Sequence, residues 1–208
     1  MKTQDLIAAL ARSEEQPKRG RPWLAALVIG LVTALAIFAA FIGPRTDMID
    51  AIGVVFAKAA FSAAFASIAL ALMGRLAKPG RPAAKLLRGL AAIFLVSLII
   101  AAIALMGDDP GARMQAWTGG AFPWCLILIP LLALPFALAL GFVVKTLAPT
   151  RLALTGGAIG AAAGGLGAMV YALHCPIDSI AFVATWYALG IAISAVIGAV
   201  IGARFLRW

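Results

Sequence analysis

The sequence has 208 residues, of which 64% are hydrophobic and 12% are charged, and its mean hydropathy is +1.06. Soluble domains carry about 25% charged residues, so this composition excludes an ordinary water-soluble enzyme and also a disordered chain. The net charge is +9, and the two cysteines are too few for a disulfide scaffold or a four-cysteine metal site. The composition indicates a protein whose solvent is the lipid bilayer.

Six apolar stretches approach or exceed the roughly 20 residues that a helix needs to cross the hydrocarbon core. Backbone polar groups find no water inside lipid, so each stretch is expected to close its own hydrogen bonds as a helix. The prediction is an all-α integral membrane bundle of six transmembrane helices over residues 23–208, preceded by a tail of residues 1–22. The predicted spans are Trp23–Ile42, Ile52–Gly74, Gly89–Met106, Trp124–Val144, Leu152–Leu173 and Ile180–Ala203.

The basic residues predict the orientation of the bundle, because cytoplasmic loops of membrane proteins are enriched in Lys and Arg. Of the seventeen basic residues, five lie in the tail, five in the second connection, two in the fourth and two after the last span. Both termini are therefore expected in the cytoplasm, and a bacterial inner membrane is the expected location. This distribution explains the positive charge without any direct contact with nucleic acid.

The tail contains a segment with a helical pattern. Thr3 can cap a short helix in which Leu6, Ile7 and Leu10 share one face. A helix of about ten residues is not stable alone in water. It is expected either to fold on a cytoplasmic partner or to lie on the membrane surface.

The two cysteines, Cys125 and Cys175, are both predicted on the outer, oxidising side of the membrane. They could form a disulfide, or act as a pair that senses oxidants or soft metals. The simpler interpretation is that cysteine serves as a small apolar residue. We favour the sensing role, because Cys175 lies in a polar turn rather than in an apolar run.

That turn, residues 174–179, also contains His174, which is the only histidine, and Asp178. With the two cysteines these residues could supply nitrogen, sulfur and oxygen ligands to a metal, so both are candidate auxiliary ligands. Asp178 and Ser179 are equally suited to cap the sixth span. We expect transient binding of a metal or oxidant to the thiols rather than a stable structural metal site, and no bound cofactor.

Lys58 is the only ionisable residue clearly inside a predicted span. Its ammonium group could snorkel to the outer interface, pair with Asp47, Asp50 or Asp178, or bind an anion. Snorkelling or a structural pair is the preferred interpretation.

Small residues recur on the last two spans, and prolines interrupt the fourth. The spacing of the small residues predicts that the fifth and sixth spans pack as a tight hairpin. The prolines are expected to bend the fourth span, either for packing or as part of a conformational switch. These residues are Gly156, Gly160, Gly164, Gly190, Ser194, Gly198 and Gly202, with Pro130 and Pro135.

Four segments of the sequence are distinctive: the opening MKTQDLIAALA, CLILIPLLALP from Cys125, LAPT from Leu147, and above all YALHCP from Tyr171 with its continuation to Trp186 and Tyr187. In these segments the chain resembles the NrsF family, negative regulators of sigma F. The resemblance covers essentially the whole length. Ile177 occupies a place where relatives often have an acidic residue, which removes one potential metal ligand.

The resemblance implies a membrane-bound anti-sigma factor rather than an enzyme. Family members sequester an extracytoplasmic-function sigma factor at the membrane and release it under heavy-metal or oxidative stress, with the two outer cysteines implicated. Carried over, Cys125 and Cys175 form the sensor pair, whereas the resemblance assigns no individual sigma-binding residues. Our own hypothesis is that the sigma factor docks on the tail helix and on the basic second connection. The oligomeric state is not implied.

Two other functional classes are alternatives to this interpretation. A small membrane permease or metal-efflux component would use the His174–Asp178 loop as an entry site. A thiol oxidoreductase is disfavoured, because the sequence has no Cys-x-x-Cys motif and no second histidine for haem. No acidic residue is predicted at membrane depth, as an ion-coupled transporter usually requires.

Overall fold

The computed structural model describes residues 22–78, 80–107, 109–120 and 124–207, and this part of the chain is helical, without strands. Six of its helices are long and apolar enough to cross a membrane, which confirms the predicted fold class. The helices are α1 (Pro22–Phe41), α2 (Ile52–Leu76), α3 (Ala84–Gly107), the short α4 (Arg113–Thr118), α5 (Trp124–Lys145), α6 (Leu152–Tyr171) and α7 (Ile180–Phe205).

The structure differs from the sequence prediction mainly at helix ends. Helix α3 begins at Ala84 rather than Gly89, because a segment with Lys85, two leucines and Arg88 favours helix although it is too polar to count as a span. Helix α4 was not predicted, because six residues carry little periodic signal. The predicted tail helix with Leu6, Ile7 and Leu10 lies outside the described residues.

Helix α6 lies at the centre of the bundle, packed against α2, α5 and α7. Glycines permit these contacts on several sides. A Cβ atom at Gly160 would collide with the carbonyl oxygen of Ser194, and one at Gly165 would lie 2.8 Å from the backbone nitrogen of Ala66. The predicted tight hairpin of the last two spans is confirmed by this backbone approach of α6 to α7.

Helix α5 continues through Pro130 and Pro135 and carries α1 on its outer side. The contact with α1 is close, since a Cβ at Gly30 would lie 2.6 Å from Cδ1 of Phe136. The side chains of Ile129, Leu132 and Phe136 are almost fully buried in the core that α5 forms with α6 and α7.

The two ends of the bundle differ in charge. We call the end with the α1–α2, α3–α5 and α6–α7 connections the acidic end, because Asp47, Asp50, Asp109 and Asp178 lie there. The opposite end, formed by the α2–α3 and α5–α6 connections and the end of α7, is the basic end. Its residues after position 22 include nine Lys and Arg: Arg75, Lys78, Arg81, Lys85, Arg88, Lys145, Arg151, Arg204 and Arg207.

Candidate functional site

Two connections at the acidic end are joined by hydrogen bonds. The backbone N–H of Arg45, in the α1–α2 connection, donates to the carbonyl of Leu173 at 3.0 Å. Nδ1 of His174 lies 2.9 Å from the carbonyl oxygen of Gly43. The α6–α7 connection, residues 172–179, is therefore held against the loop that precedes α2.

Asp178 is the centre of a charged cluster between these connections. Its Oδ1 accepts hydrogen bonds from Nζ of Lys58 at 2.7 Å and from Nη1 of Arg45 at 2.9 Å, and its Oδ2 lies 3.2 Å from Nη2 of Arg45. Arg45 also binds Asp47 in a bidentate pair at 2.7 and 2.8 Å. One carboxylate thus joins α2, the α1–α2 loop and the start of α7.

The backbone of Cys175 belongs to the same cluster. Its carbonyl oxygen accepts hydrogen bonds from Nζ of Lys58 at 2.9 Å and from Nη1 of Arg45 at 3.2 Å. We call Arg45, Asp47, Lys58, Asp178 and this carbonyl the polar cluster. Lys58 and Arg45 therefore each bind two groups, the carboxylate of Asp178 and the main-chain carbonyl of Cys175.

Both cations of the polar cluster are buried. The side chains of Lys58 and Arg45 are 2% and 3% exposed, whereas those of Asp178 and Asp47 are 38% and 52% exposed. Hydrogen bonds from Arg45, followed by those from Lys58, hold the pKa of Asp178 below its ordinary value. The hydrogen bond from Arg45 lowers the pKa of Asp47 to about 2. The preferred alternatives for Lys58 included a structural pair, and that pairing, with Asp178, is confirmed.

A cavity of about 170 Å³ adjoins the polar cluster between α2, α3 and the start of α7. Lys58 and Asp178 are its polar lining, and the remaining walls are apolar, among them Val54, Phe61 and Ile100. Asp178, whose carboxylate neutralises two buried cations, therefore also lines a cavity that is large enough for a small solute.

The two cysteines belong to one buried group of side chains. Cys125, in the first turn of α5, and Cys175 are free thiols, and both are fully buried in one core cluster. Tyr171 and Tyr187, whose ring centroids are 5.6 Å apart, belong to the same buried group. We call these four residues the thiol cluster.

The thiol cluster contains an unsatisfied polar atom. The hydroxyl of Tyr187 is buried, and within the described part of the chain it has no hydrogen-bond partner. The Sγ atom of Cys175 is 3.9 Å from the carbonyl oxygen of Ile177, which is a weak contact. The group is therefore less completely bonded than the polar cluster.

Helix α7 begins irregularly beside the cysteines. Ser179 caps it by accepting from the N–H of Phe182 at 3.4 Å, and residues Val183–Tyr187 are π-helical. Single π-helical turns are rare and occur frequently at functional sites. Within this turn Trp186 donates from Nε1 to the carbonyl of Trp117 at 2.7 Å, which ties α7 to α4.

The candidate metal ligands do not form one group. Among the described residues, no three His, Cys, Asp or Glu side chains are placed to hold a metal ion together. Asp178 is bonded to two cations and His174 faces the Gly43 carbonyl, whereas the cysteines lie in the core. The residues of this turn therefore do not form one ligand set: Asp178 belongs to the polar cluster, Cys175 to both clusters and His174 to neither.

Sequence reasoning missed Arg45. Its position as the basic residue of the first outer connection, two residues before Asp47, was the available signal. That signal suggests only a local pair. The contact with Asp178, 133 positions further along the chain, depends on how α1 and α2 pack against α7.

Comparison with known proteins identifies the family of this chain. The family model described as "Negative regulator of sigma F", NrsF, matches residues 7–208. The chain belongs to the NrsF family. It is 33% identical over the full length of both chains to the "Probable anti-sigma-F factor NrsF" of Azospira oryzae. It is 34% identical, also over the full length of both, to the "Anti-sigma-F factor NrsF" of Caulobacter vibrioides. No solved structure is significantly similar to this NrsF-family chain.

Proposed function

We propose that this protein is a membrane anti-sigma factor that binds an extracytoplasmic-function sigma factor at the cytoplasmic face of the inner membrane. Heavy-metal or oxidative stress, sensed by Cys125 and Cys175, releases the sigma factor. Two full-length relatives with anti-sigma-F names and the six apolar helices support the membrane-bound regulatory role. The observation that carries the sensing role is that Cys175 belongs to both clusters, through its thiol and through its carbonyl.

The chemistry at the sensor follows from two neighbouring thiols. A soft cation such as Cd²⁺ binds two thiolates with the release of two protons. A two-electron oxidant converts the same thiols into a disulfide, taking two electrons while two protons leave. Both thiols are fully buried, so either reaction requires residues 172–179 and the first turn of α5 to repack.

The polar cluster transmits this change. When the Cys175 thiol moves, its carbonyl moves with it, and Lys58 and Arg45 lose one of their acceptors. Lys58 is on α2 and Asp178 directly precedes α7, so the two helices shift relative to each other. Asp178 and His174 thus assist the sensor by positioning the loop. The π-helical turn of α7 and the proline-containing α5 are the elements able to adopt a second packing.

The sigma factor would dock on the tail face of Leu6, Ile7 and Leu10 and on the basic connection between α2 and α3. A difference of about 1.4 kcal/mol in the free energy of sigma binding between the two states changes the sigma affinity about tenfold, so a modest differential affinity suffices.

The test is a pulldown of the tagged, detergent-solubilised protein from its host, with bound proteins identified by mass spectrometry before and after Cd²⁺ or oxidant. We expect a sigma factor in the untreated sample and its loss after treatment. Cys125→Ser and Cys175→Ser should retain the sigma factor under stress. Asp178→Asn should weaken retention without stress, whereas the control Asp50→Asn, at an exposed position of the same end, should leave it unchanged.

Two results would contradict the proposal in different ways. Absence of a sigma factor from both samples, with the fold preserved, would exclude the anti-sigma function for this chain. If the double variant Cys125→Ser/Cys175→Ser released the sigma factor normally, the anti-sigma function would stand, but the cysteines would be excluded as sensors.

A further inference from the structure

A second candidate site is a groove on the surface of the bundle. This groove, of about 370 Å³, runs along the surface between α5 and α7, with α6 as its floor. Its rims are exposed apolar side chains, including Leu134 and Leu138 of α5 and Ile197 and Ile201 of α7. Its floor includes Gly156 and Gly160, which have no side chains to fill it.

The groove exists because of how closely α6 and α7 pack. Gly156 and Gly160 bring the two backbones into contact. The side chains of α7 therefore lie close to the surface of α6. Helix α5 lies on the other side of α6 and approaches α7 at two places: a Cβ at Gly190 would lie 3.0 Å from Cδ1 of Ile129, and one at Gly141 would lie 3.5 Å from Cε1 of Phe205. From Ile127 to Gly141, at 1.5 Å per residue, the groove is roughly 20 Å long. One leaflet of the hydrocarbon core is about 15 Å thick, so the groove can hold one acyl chain.

The charge at one end of the groove identifies the headgroup. Phe205 and Leu206 close the groove at the basic end. Nζ of Lys145 lies 4.8 Å from the centroid of the Phe205 ring, and the exposed Arg204 directly precedes Phe205 in the chain. The salt bridges of the polar cluster lie at the acidic end, and among the described residues neither Lys145 nor Arg204 forms one. The cations at the groove mouth are therefore available to a phosphate.

We propose that this groove binds an anionic phospholipid, with one acyl chain between α5 and α7 and its phosphate at Lys145 and Arg204. Lipid tails are as apolar as the groove walls, so the chain itself contributes packing rather than selectivity. Selectivity comes from the headgroup, because basic pockets between helices at the membrane surface favour anionic lipids. The proposal is independent of the anti-sigma role, since its readout is lipid binding.

The test is a native mass spectrometry titration of the full-length protein in mild detergent with phosphatidylglycerol and with phosphatidylcholine of identical chains. Two cations near the phosphate should give about a tenfold preference for phosphatidylglycerol, decreasing as ionic strength rises. The double variant Lys145→Gln/Arg204→Gln should abolish the preference. The control Lys85→Gln/Arg88→Gln removes the same charges from the exposed start of α3 and should keep it.

Two further variants test the acyl-chain part of the site and provide a charge variant in case Lys145→Gln destabilises the protein. Ile197→Trp should fill the groove from its rim and weaken binding of both lipids. If Lys145→Gln reduces expression, Arg204→Gln/Arg207→Gln, which changes two exposed residues, should still lower the preference. Equal affinity for the two lipids, or an unchanged preference in the charge variants, would overturn the proposal. So would a dimer that Ile197→Trp dissociates, because the groove would then hold a second copy of the chain.

Discussion

In soluble proteins the more apolar segments are the more buried ones. Helices α6 and α3 show the opposite relation. In the most apolar stretch of α6, 72% of the residues are buried, although α6 is the least hydropathic of the six long helices. In α3, the most hydropathic, only 11% are buried. Lipid solvates apolar side chains as well as the protein interior does, so hydrophobicity does not select the centre of the bundle. The helix at the centre is instead determined by small residues, because these permit close backbone contact.

The largest expected effect tests this contrast at two glycines. Gly160→Ala places a Cβ against the Ser194 carbonyl of α7, whereas at Gly89 on α3 the nearest atom is Cγ2 of Ile68 at 3.9 Å. The first substitution should lower the free energy of unfolding by on the order of 3 kcal/mol. Gly89→Ala should leave it unchanged or slightly raised, because alanine favours helix. Unfolding of both variants in mixed micelles measures the difference, and equal stability would show that the α6–α7 contact is not tight.

The next effect concerns charge in the interior. Asp178→Asn leaves Lys58 and Arg45 buried with weaker partners, which should cost about 2 to 3 kcal/mol, less than for a fully buried pair because Asp178 is partly exposed. Lys58→Met should cost less, since Asp178 keeps Arg45 and the buried ammonium is removed. Melting temperatures in detergent rank the variants. A Lys58→Met variant less stable than Asp178→Asn would contradict the central position of the carboxylate.

A smaller effect compares isoleucines on the two helices. Ile159 of α6 is 6% exposed, and Ile99 of α3 is 48% exposed. Ile159→Ala should cost about 2 kcal/mol through lost packing. Ile99→Ala should cost much less, because lipid fills the space that the side chain leaves. A similar loss at both positions, measured by the same unfolding assay, would mean that α3 is packed more tightly than its exposure indicates.

The sequence predicted the six long helices and the α6–α7 hairpin, because both signals are local. An apolar run of about 20 residues and a four-residue glycine spacing can be read within one helix. The polar cluster could be predicted only in part. Lys58 was expected either to snorkel or to pair with one of three aspartates, and its actual partner, Asp178, lies 120 positions away; Arg45 was not recognised at all. Such contacts depend on which loops the packing brings together, and a single sequence does not contain that information.

The smallest expected effect is the response of the acidic end to pH. Arg45 lowers the pKa of Asp47 to about 2, and Arg45 and Lys58 lower that of Asp178, so both carboxylates are ionised in the folded protein at neutral pH. For a carboxylate whose pKa is lower in the folded state, the stabilisation is complete above the unfolded value and is lost as pH falls toward the folded value. The melting temperature should therefore be constant from pH 7 to about pH 5 and decrease below about pH 4. Asp178→Asn should show a shallower decrease than the unaltered protein, and Asp50→Asn the same decrease. A transition centred near neutral pH would contradict this assignment, because neither carboxylate changes its charge there.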